Sequence, residues 1–311
     1  MIRLDHREPI PVSLRGAILA LGNFDGFHRG HQAVVGEAIR WAHAEGRPAM
    51  VATFDPHPVR YFRPESEPFR LTTLDQRQEL FGAAGADAML VFHFDATIAG
   101  MPAERWVREM IHDHLGTAGV TTGQDFVFGK GRSGTASSLR DLGLPLGIAT
   151  RAVPPVLDAD GPISSSRIRA ALRAGDCETA TRLLTRPFAM RGIVQHGDKL
   201  GRTIGFPTAN LPLGKYLRPR YGIYAVTGQL PDGRLLRGAA NIGVRPTFDP
   251  PKELLEPYFF DFSDDLYGQE IEVAFHHFLR AEAKFSSLEA LTAQMERDCD
   301  DARRLLAITT P

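Results

Sequence analysis

In the first half of the chain, short unbroken apolar runs, AILAL (17–21), AMVATF (49–54), AMLVF (88–92) and IATRAV (148–153), alternate with longer stretches such as HQAVVGEAIRWAHAEG and MPAERWVREMIHDHLG. In the longer stretches apolar residues recur every three or four positions, the spacing of one helix face; the short runs read as buried strands. Strand and helix in alternation predict a parallel sheet with helices on its faces, an α/β domain. The pattern changes after LLTRPF. GIYAVTGQL (222–230), PDG and RLLRGAANIG (234–243) read as a hairpin, and ELLEPYFFDF (253–262) and EIEVAFHHFL (270–279) continue in β-branched and aromatic residues. This half predicts a β-barrel, or failing that a sandwich. SSLEALTAQMERDCDDARRLLAI then closes the chain as one amphipathic helix behind a serine cap, with Leu288, Leu291, Met295, Leu305 and Leu306 near helical spacing. The junction falls between Leu184 and Phe188, giving modules of 1–185 and 186–311, with no internal repeat and no low-complexity tract.

A length of 311 residues agrees with two domains, and 43% hydrophobic with 23% charged residues is an ordinary globular composition. The net charge of −1 supplies no field for gathering nucleic acid or anionic lipid, so neither is expected as a partner. Only Cys177 and Cys299 occur, far apart, which suggests neither a disulfide framework nor a zinc site and fits a reducing compartment. The start, MIRLDHREPIPVSLRG, is charged and punctuated by proline where a signal peptide needs an apolar run, and no apolar stretch is long enough to span a bilayer. A soluble cytoplasmic protein, monomeric or weakly homo-oligomeric, is expected.

Candidate chemistry begins at GNFDGFHRGHQ (22–32), directly after the first buried strand and at the start of a helix. Free backbone N–H groups and the positive end of the helix dipole favour an anion there, phosphate above all. His28 and His31 face the same way at i, i+3, and Gly22, Gly26 and Gly30 let a ligand approach the backbone. Alone, an H-x-x-H pair is as readily a surface or metal pair; the glycines and the strand-to-helix context favour phosphate. GPISSSRIRAALRAG places Ser164, Ser165 and Ser166 at a helix start with Arg167 and Arg169 behind them, either an oxyanion clamp or a plain serine cap. GKGRSG (129–134) fits G-x-G-x-x-G but lies late in its domain without an acidic partner, and Lys130 is followed by glycine, so neither a dinucleotide fold nor a Walker A loop is indicated.

In the second half, HGDKLGRTIGFPTANLP joins a glycine-rich loop to Pro207-Thr208-Ala209-Asn210. Magnesium prefers oxygen ligands and keeps substrate phosphates in its shell, so the Thr208 hydroxyl and the Asn210 carbonyl are candidate ligands, although P-T-A-N by itself also suits a turn. Glu256 alternates onto one strand face with Tyr258, Phe260 and Phe262, an odd neighbourhood for a carboxylate without a task; desolvation there would raise its pKa and suit it to act as a base. Pro257 argues instead for an exposed edge.

These segments together resemble the bacterial bifunctional riboflavin kinase/FMN adenylyltransferases, over nearly the whole chain. GNFDGFHRGHQ is similar to the family's H-x-G-H nucleotidyltransferase element, GPISSSRIR to its I-S-S-T-x-I-R element with Ser166 for threonine, and GDKLGRTIGFPTAN to its kinase signature. TFDPHPVRYF, GQDFVFGKGRSG, NIGVRPTF, DLYGQEI and FLRAEAKF extend the likeness. The resemblance implies a nucleotidyltransferase-type α/β domain and a riboflavin-kinase-type barrel. It further implies ATP-dependent phosphorylation of riboflavin to FMN with Mg²⁺, then transfer of AMP from a second ATP to give FAD. His28, His31 and Arg167 would stabilise the adenylyl transfer, and Glu256 would activate the riboflavin 5′-hydroxyl. ATP and flavin contacts would come from Gly22, Asn23, Phe24, Asp25, Gly26, Asp55, Asp125, Phe128, Ser164 and Ser165, and in the kinase from Lys199, Gly201, Arg202, Gly205, Asn241, Arg245 and Arg280. Two further departures stand out: Tyr258 replaces the histidine of E-x-H, and Thr185 replaces a common junction glycine. A single-activity kinase and a non-catalytic flavin-binding protein are the competing readings; intact motifs in both halves argue against each.

Overall fold

A computed structural model describes residues 1–196, 205–245 and 252–309, which form two compact units. The first comprises Met1–Glu67 and Thr72–Ser164, the second Pro68–Leu71 and the chain from Ser165 onward.

The first unit is a six-stranded parallel sheet of β1 (Ile2–Asp5), β2 (Ile18–Leu21), β3 (Ala49–Asp55), β4 (Ala88–His93), β5 (Gly119–Gly123) and β6 (Ala149–Val153), in the order β1-β4-β3-β2-β5-β6. The four apolar runs all form strands. Because alternate residues point to opposite faces, β2 divides its side chains between two cores: Leu19 and Leu21 join Met50, Leu90, Phe92 and Trp106, while Ile18 and Ala20 join Val35, Ile39, Trp41 and Val51. Both faces are covered, which is why these central strands read as continuous apolar runs. The predicted helices form: α1 spans Arg29–Glu45, and the segment 103–114 is helical, with π-type winding over Trp106–His114. β1 is an addition to the sequence reading; its charged I-R-L-D gives no apolar run, yet it pairs in register from Ile2 opposite Ala88. A further helix, α2 (Leu74–Ala83), starts on a capping box between Thr73 and Gln76.

The second unit begins with α3 (Ser165–Ala174) and α4 (Cys177–Leu184). An antiparallel sheet follows: β7 (Phe188–Ile193), β8 (Leu211–Pro212), β9 (Gly222–Gln229), β10 (Leu235–Arg245), β11 (Lys252–Phe259) and β12 (Glu270–Arg280), ordered β7-β12-β9-β10-β11-β8. The predicted hairpin is β9–β10, with Gln229 opposite Leu235. A bridge between Gln195 and Asn210 brings the two edge strands together and closes the barrel. Tyr224, Val226, Ile242, Leu255, Val273 and Phe275 fill the interior. The closing helix, α5 (Leu288–Thr309), is capped as read, by the Ser287 hydroxyl accepting from Ala290 N at 3.2 Å. Its Cys299, Ala302 and Leu306 cover Ala225, Ala239 and Phe260 on the outer face of the barrel.

Thr185 takes the left-handed C-cap of α4 (φ 65°), a conformation that glycine adopts freely and threonine does not, which explains why glycine suits this junction.

Candidate active sites

The GNFDGFH loop leaves the carboxyl end of β2. The chain places β3 on one side of β2 and returns with β5 on the other, and a reversal of strand order opens a crevice beyond the carboxyl ends in sheets of this kind. Phe24 (φ 49°), Gly26 (φ 89°) and Phe27 (φ 45°) all hold left-handed conformations. The strain at the two phenylalanines is offset by burial of both rings against Phe81 of α2, at 5.9 and 5.1 Å. A buried polar network locks the loop. Asp25, 2% exposed, accepts from Thr72 N at 3.0 Å and pairs with Arg77 at 3.4 Å; Gly26 N donates to Thr72 Oγ1 at 2.9 Å. Arg77, 1% exposed, also donates to Thr53 Oγ1 at 2.9 Å and to the Asn23 carbonyl at 3.3 Å. Asp25 thus serves the loop's shape from within the protein, while Asn23 Oδ1 is buried with no partner among the described residues.

His28, also buried, is the N-cap of α1: its Nδ1 accepts from Gly30 N at 3.1 Å and His31 N at 3.4 Å. A ring nitrogen that accepts two backbone N–H groups carries no proton, so the neutral ring holds its proton on Nε2. The His31 ring stacks on it at 3.6 Å and meets the Phe24 edge at 5.3 Å. A Cβ on Gly30 would lie 3.1 Å from the His28 ring and 3.3 Å from the Ile163 carbonyl, so a glycine is needed for the close fit. That contact brings Ser164, next in the chain, to the start of α1. Gly22 lies against the Phe24 ring, which a Cβ would meet at 3.0 Å. Asp55, half-buried, ends β3 and is joined to Pro56 by a cis peptide. Asp125 is exposed. Phe128 is buried against Trp106 at 5.1 Å and over Gly134, so both its ring and the last glycine of G-x-G-x-x-G serve packing. Ser165 and Arg167 lie on the first turn of α3, within the second unit, where Arg169 donates to the Phe69 carbonyl at 2.8 Å.

The residues expected in the kinase site are organised by strand register. Leu211 pairs with Leu255 and Ala209 N donates to the Pro257 carbonyl at 2.9 Å, so Asn210 stands beside Glu256; Glu256 in turn pairs with Asn241. The result is a polar row, Asn210, Glu256, Asn241, across three neighbouring chain segments. Asn241 Nδ2 reaches Glu256 Oε2 at 3.5 Å, and Asn241 Oδ1 is buried without a partner among the described residues. Thr208 and Glu256 are half-buried, and Asn210 is buried. Tyr258 shares the Glu256 face and packs on Phe206 at 5.2 Å, so the residue in place of histidine anchors the P-T-A-N segment by aromatic contact. One expectation is corrected: β11 ends at Phe259 and Asp261 turns left-handed (φ 52°), which turns Phe262 against Phe259 and away from the Glu256 face. Pro257 lies on an inner strand paired on both sides, so the edge reading does not hold.

Gly205 is exposed with φ 84° and Arg245 ends β10; Lys199, Gly201 and Arg202 lie outside the described residues. Arg280 is held by Asp298 of α5, with contacts of 2.8 and 2.6 Å, and its guanidinium lies over Phe285. Sequence reasoning missed Arg77, Thr72 and Thr53 in the first unit. In the second it missed the Arg218–Glu253–Tyr221 cluster: Arg218 donates to Glu253 at 2.7 and 3.0 Å and holds that carboxyl below its usual pKa, while burial and the Glu253 bond push the Tyr221 phenol up to about 12.

Residues 10–167 match the family model described as FAD synthetase, and residues 184–306 the model described as riboflavin kinase. Fold and matches together define a two-module, nucleotide-dependent flavin transferase. Bifunctional riboflavin kinase/FMN adenylyltransferases are 38% identical in Escherichia coli K12 (95% of each chain covered), 40% in Pseudomonas fluorescens (94% of each) and 37% in Bacillus subtilis 168 (93% of this chain, 92% of that one). The chain belongs to the bifunctional riboflavin kinase/FMN adenylyltransferase family: it phosphorylates riboflavin to FMN and adenylylates FMN to FAD. The single-activity and non-catalytic readings are not favoured. A crystal structure of a Streptococcus pneumoniae protein described as a macrolide-efflux protein has the same fold, with a TM-score of 0.87 at 29% identity over 97% of this chain and 99% of that one. Among the described residues of this chain, no helix is long and apolar enough to cross a membrane.

Proposed function

We propose that the two reactions use two separate residue sets, divided at the junction between modules 1–185 and 186–311. In the first, His28, His31, Ser164, Ser165 and Arg167 bind the ATP phosphates with the free N–H groups of α1. An FMN phosphate oxygen bonds to the α-phosphorus, the bond to the β-phosphate oxygen breaks, and pyrophosphate leaves. In the second, Glu256 takes the proton of the riboflavin 5′-hydroxyl as that oxygen bonds to the γ-phosphorus of ATP and ADP leaves. Thr208, Asn210 and Glu256 offer only oxygen donors, the set Mg²⁺ prefers; Thr208 and Asn210 would hold the ion, which neutralises charge on the transferring phosphoryl group when bound. We further place the protein in the cytoplasm, monomeric or weakly homo-oligomeric and without nucleic-acid or membrane partners, a reading supported by the net charge of −1 and by two buried free cysteines.

The observation that carries the division is the row Asn210, Glu256, Asn241, assembled wholly within the second unit by strand pairing. Its test separates flavins by chromatography after incubation with ATP and Mg²⁺, starting from riboflavin or from FMN. Glu256→Gln loses conversion of riboflavin to FMN and keeps conversion of FMN to FAD; His28→Ala does the reverse. Loss of both steps in either folded variant, or of neither, overturns the assignment.

A further inference from the structure

The outer face of the barrel carries a second carboxylate close to the Glu256 row. Two glycines bring it there. At Gly222, the first residue of β9, a Cβ would strike the Arg280 carbonyl and lie 3.1 Å from Ala281 Cα, so the chain leaving β12 presses directly on β9. Two residues past Arg280, Glu282 reaches over β10, where a Cβ on Gly243 would collide with Oε1 and stand 2.8 Å from the carboxyl carbon. Gly243 lies two positions along from Asn241 and shares its outward face. The Glu282 carboxylate therefore stands roughly one strand repeat, about 7 Å, from the row that contains Glu256.

The charge of Glu282 is felt by the Tyr221 phenol, whose pKa it helps to raise, without a bond between them. Among the described residues Glu282 forms no hydrogen bond or ion pair, and Asn241 Oδ1, on the residue two positions from Gly243 in β10, is buried without a partner among them. A bare carboxylate repels the phosphates of ATP and suits a ligand that offers hydroxyl donors. Both kinase substrates carry hydroxyls, but those of ATP sit on a molecule whose polyphosphate the carboxylate repels, whereas riboflavin's lie on an uncharged polyol chain whose end is the hydroxyl to be phosphorylated.

We propose that Glu282 is a substrate-positioning residue of the kinase, accepting a hydrogen bond from a hydroxyl within the flavin's polyol chain while Glu256 addresses the terminal one. The proposal rests on the reading of Glu256 as the base. Gly243 is then a specificity element, because any side chain there displaces the carboxylate.

The test uses the full chain and counts FMN plus FAD formed from riboflavin, so that only the kinase step is read. KM is measured for riboflavin and for ATP, together with the inhibition constant of lumiflavin, which has the flavin ring without the polyol. Glu282→Ala raises KM for riboflavin about tenfold, the worth of one hydrogen bond to a charged group, and Glu282→Gln about threefold. KM for ATP and the lumiflavin constant stay unchanged, and Gly243→Ala reproduces the alanine pattern. An unchanged riboflavin KM, an equal rise for lumiflavin, or a change confined to ATP overturns the proposal. Glu282 is exposed, so Glu282→Gln decides the matter even if Gly243→Ala does not fold. Glu256→Gln, assayed alongside, separates the two readings: full retained kcat there refutes the base, whereas the riboflavin and lumiflavin comparison judges Glu282.

Discussion

Replacing Arg77 by methionine keeps most of the side chain's volume and removes its charge from the buried network under the GNFDGFH loop. Removing one member of a buried pair typically costs 3–5 kcal/mol, because the partner charge is left uncompensated. Here the cost falls near the low end, about 3 kcal/mol, since Asp25 keeps its bonds from the Thr72 N–H at 3.0 Å and hydroxyl at 3.3 Å, and its contact with Arg77 is long at 3.4 Å. In a unit of this size such a loss lowers Tm by on the order of 10 °C. The loop also carries His28, so formation of FAD from FMN falls while formation of FMN from riboflavin persists. Urea unfolding of the parent, Arg77→Met, Asp25→Asn and the double variant forms a cycle. The double variant buries no charge at this spot and is less destabilised than the sum of the singles by at least about 1 kcal/mol. Additivity within about 0.5 kcal/mol would falsify the coupling of Asp25 to Arg77.

Two smaller perturbations probe the second unit. Burial depresses the His276 pKa from 6.5 to about 4, with His277 adding to the effect and Thr227 bonded to its ring at 3.0 Å. The unfolded chain therefore binds the proton first: the stability this neutral histidine confers is complete above pH 6.5 and is lost as pH falls from there toward 4, by about 2 kcal/mol after allowance for solvent screening. His276→Gln shows a shallower loss of urea stability between about pH 7 and pH 5 than the parent, and an identical slope in the two proteins counts against the assignment. Thr185→Gly relieves the left-handed C-cap and raises the unfolding free energy by about 0.5–1 kcal/mol; a decrease on chemical denaturation shows that the Thr185 hydroxyl, which donates to the Leu184 carbonyl, matters more than the strain.

Features that depend on local chemistry were legible in the sequence. The central strands of the first sheet announce themselves because both faces are buried, and His28 and His31 lie close in the chain, as the N-cap and third residue of one helix, so local geometry puts them together. β6 was legible as a run even though it lies exposed at the sheet edge. Features that depend on distant partners were not. Asp25 and Arg77 are 52 positions apart, and nothing in an amphipathic helix marks one arginine as buried. The capping box at Thr73 was a readable sign of the helix, but not of the carboxylate that Thr72 and Arg77 serve. The segment Pro68–Leu71 joins the second unit by backbone bonds, with Leu217 N donating to the Arg70 carbonyl at 2.8 Å, which leaves no side-chain signature. The face of Glu256 was read correctly as far as Phe260 and failed at Phe262, after one non-glycine residue, Asp261, turned left-handed.

The row proposed for the kinase raises a separate question of precision, because side chains alternate along a strand and a slip of one residue would turn Asn210, Glu256 or Asn241 to the opposite side of the barrel. Hydrogen bonds alone do not forbid a slip, since the backbone repeats. Glycines do. The Phe259 ring occupies the space of a side chain at Gly228, and the Tyr258 carbonyl fills that of Gly238, so β11 fits against β9 and β10 only where both glycines meet it. Shifted by one residue, Phe259 would meet Thr227 or Gln229, and the Tyr258 carbonyl would meet the side chain of Arg237 or Ala239. On the other side of β11, Gln195 N bonds the Asn210 carbonyl at 2.8 Å, so the bridge that closes the barrel also fixes the residue next to Glu256. The glycines set the register of the strand that carries Glu256, and closure sets that of Asn210. The site is thus placed by packing inside the barrel, on the face opposite to the one where its side chains stand.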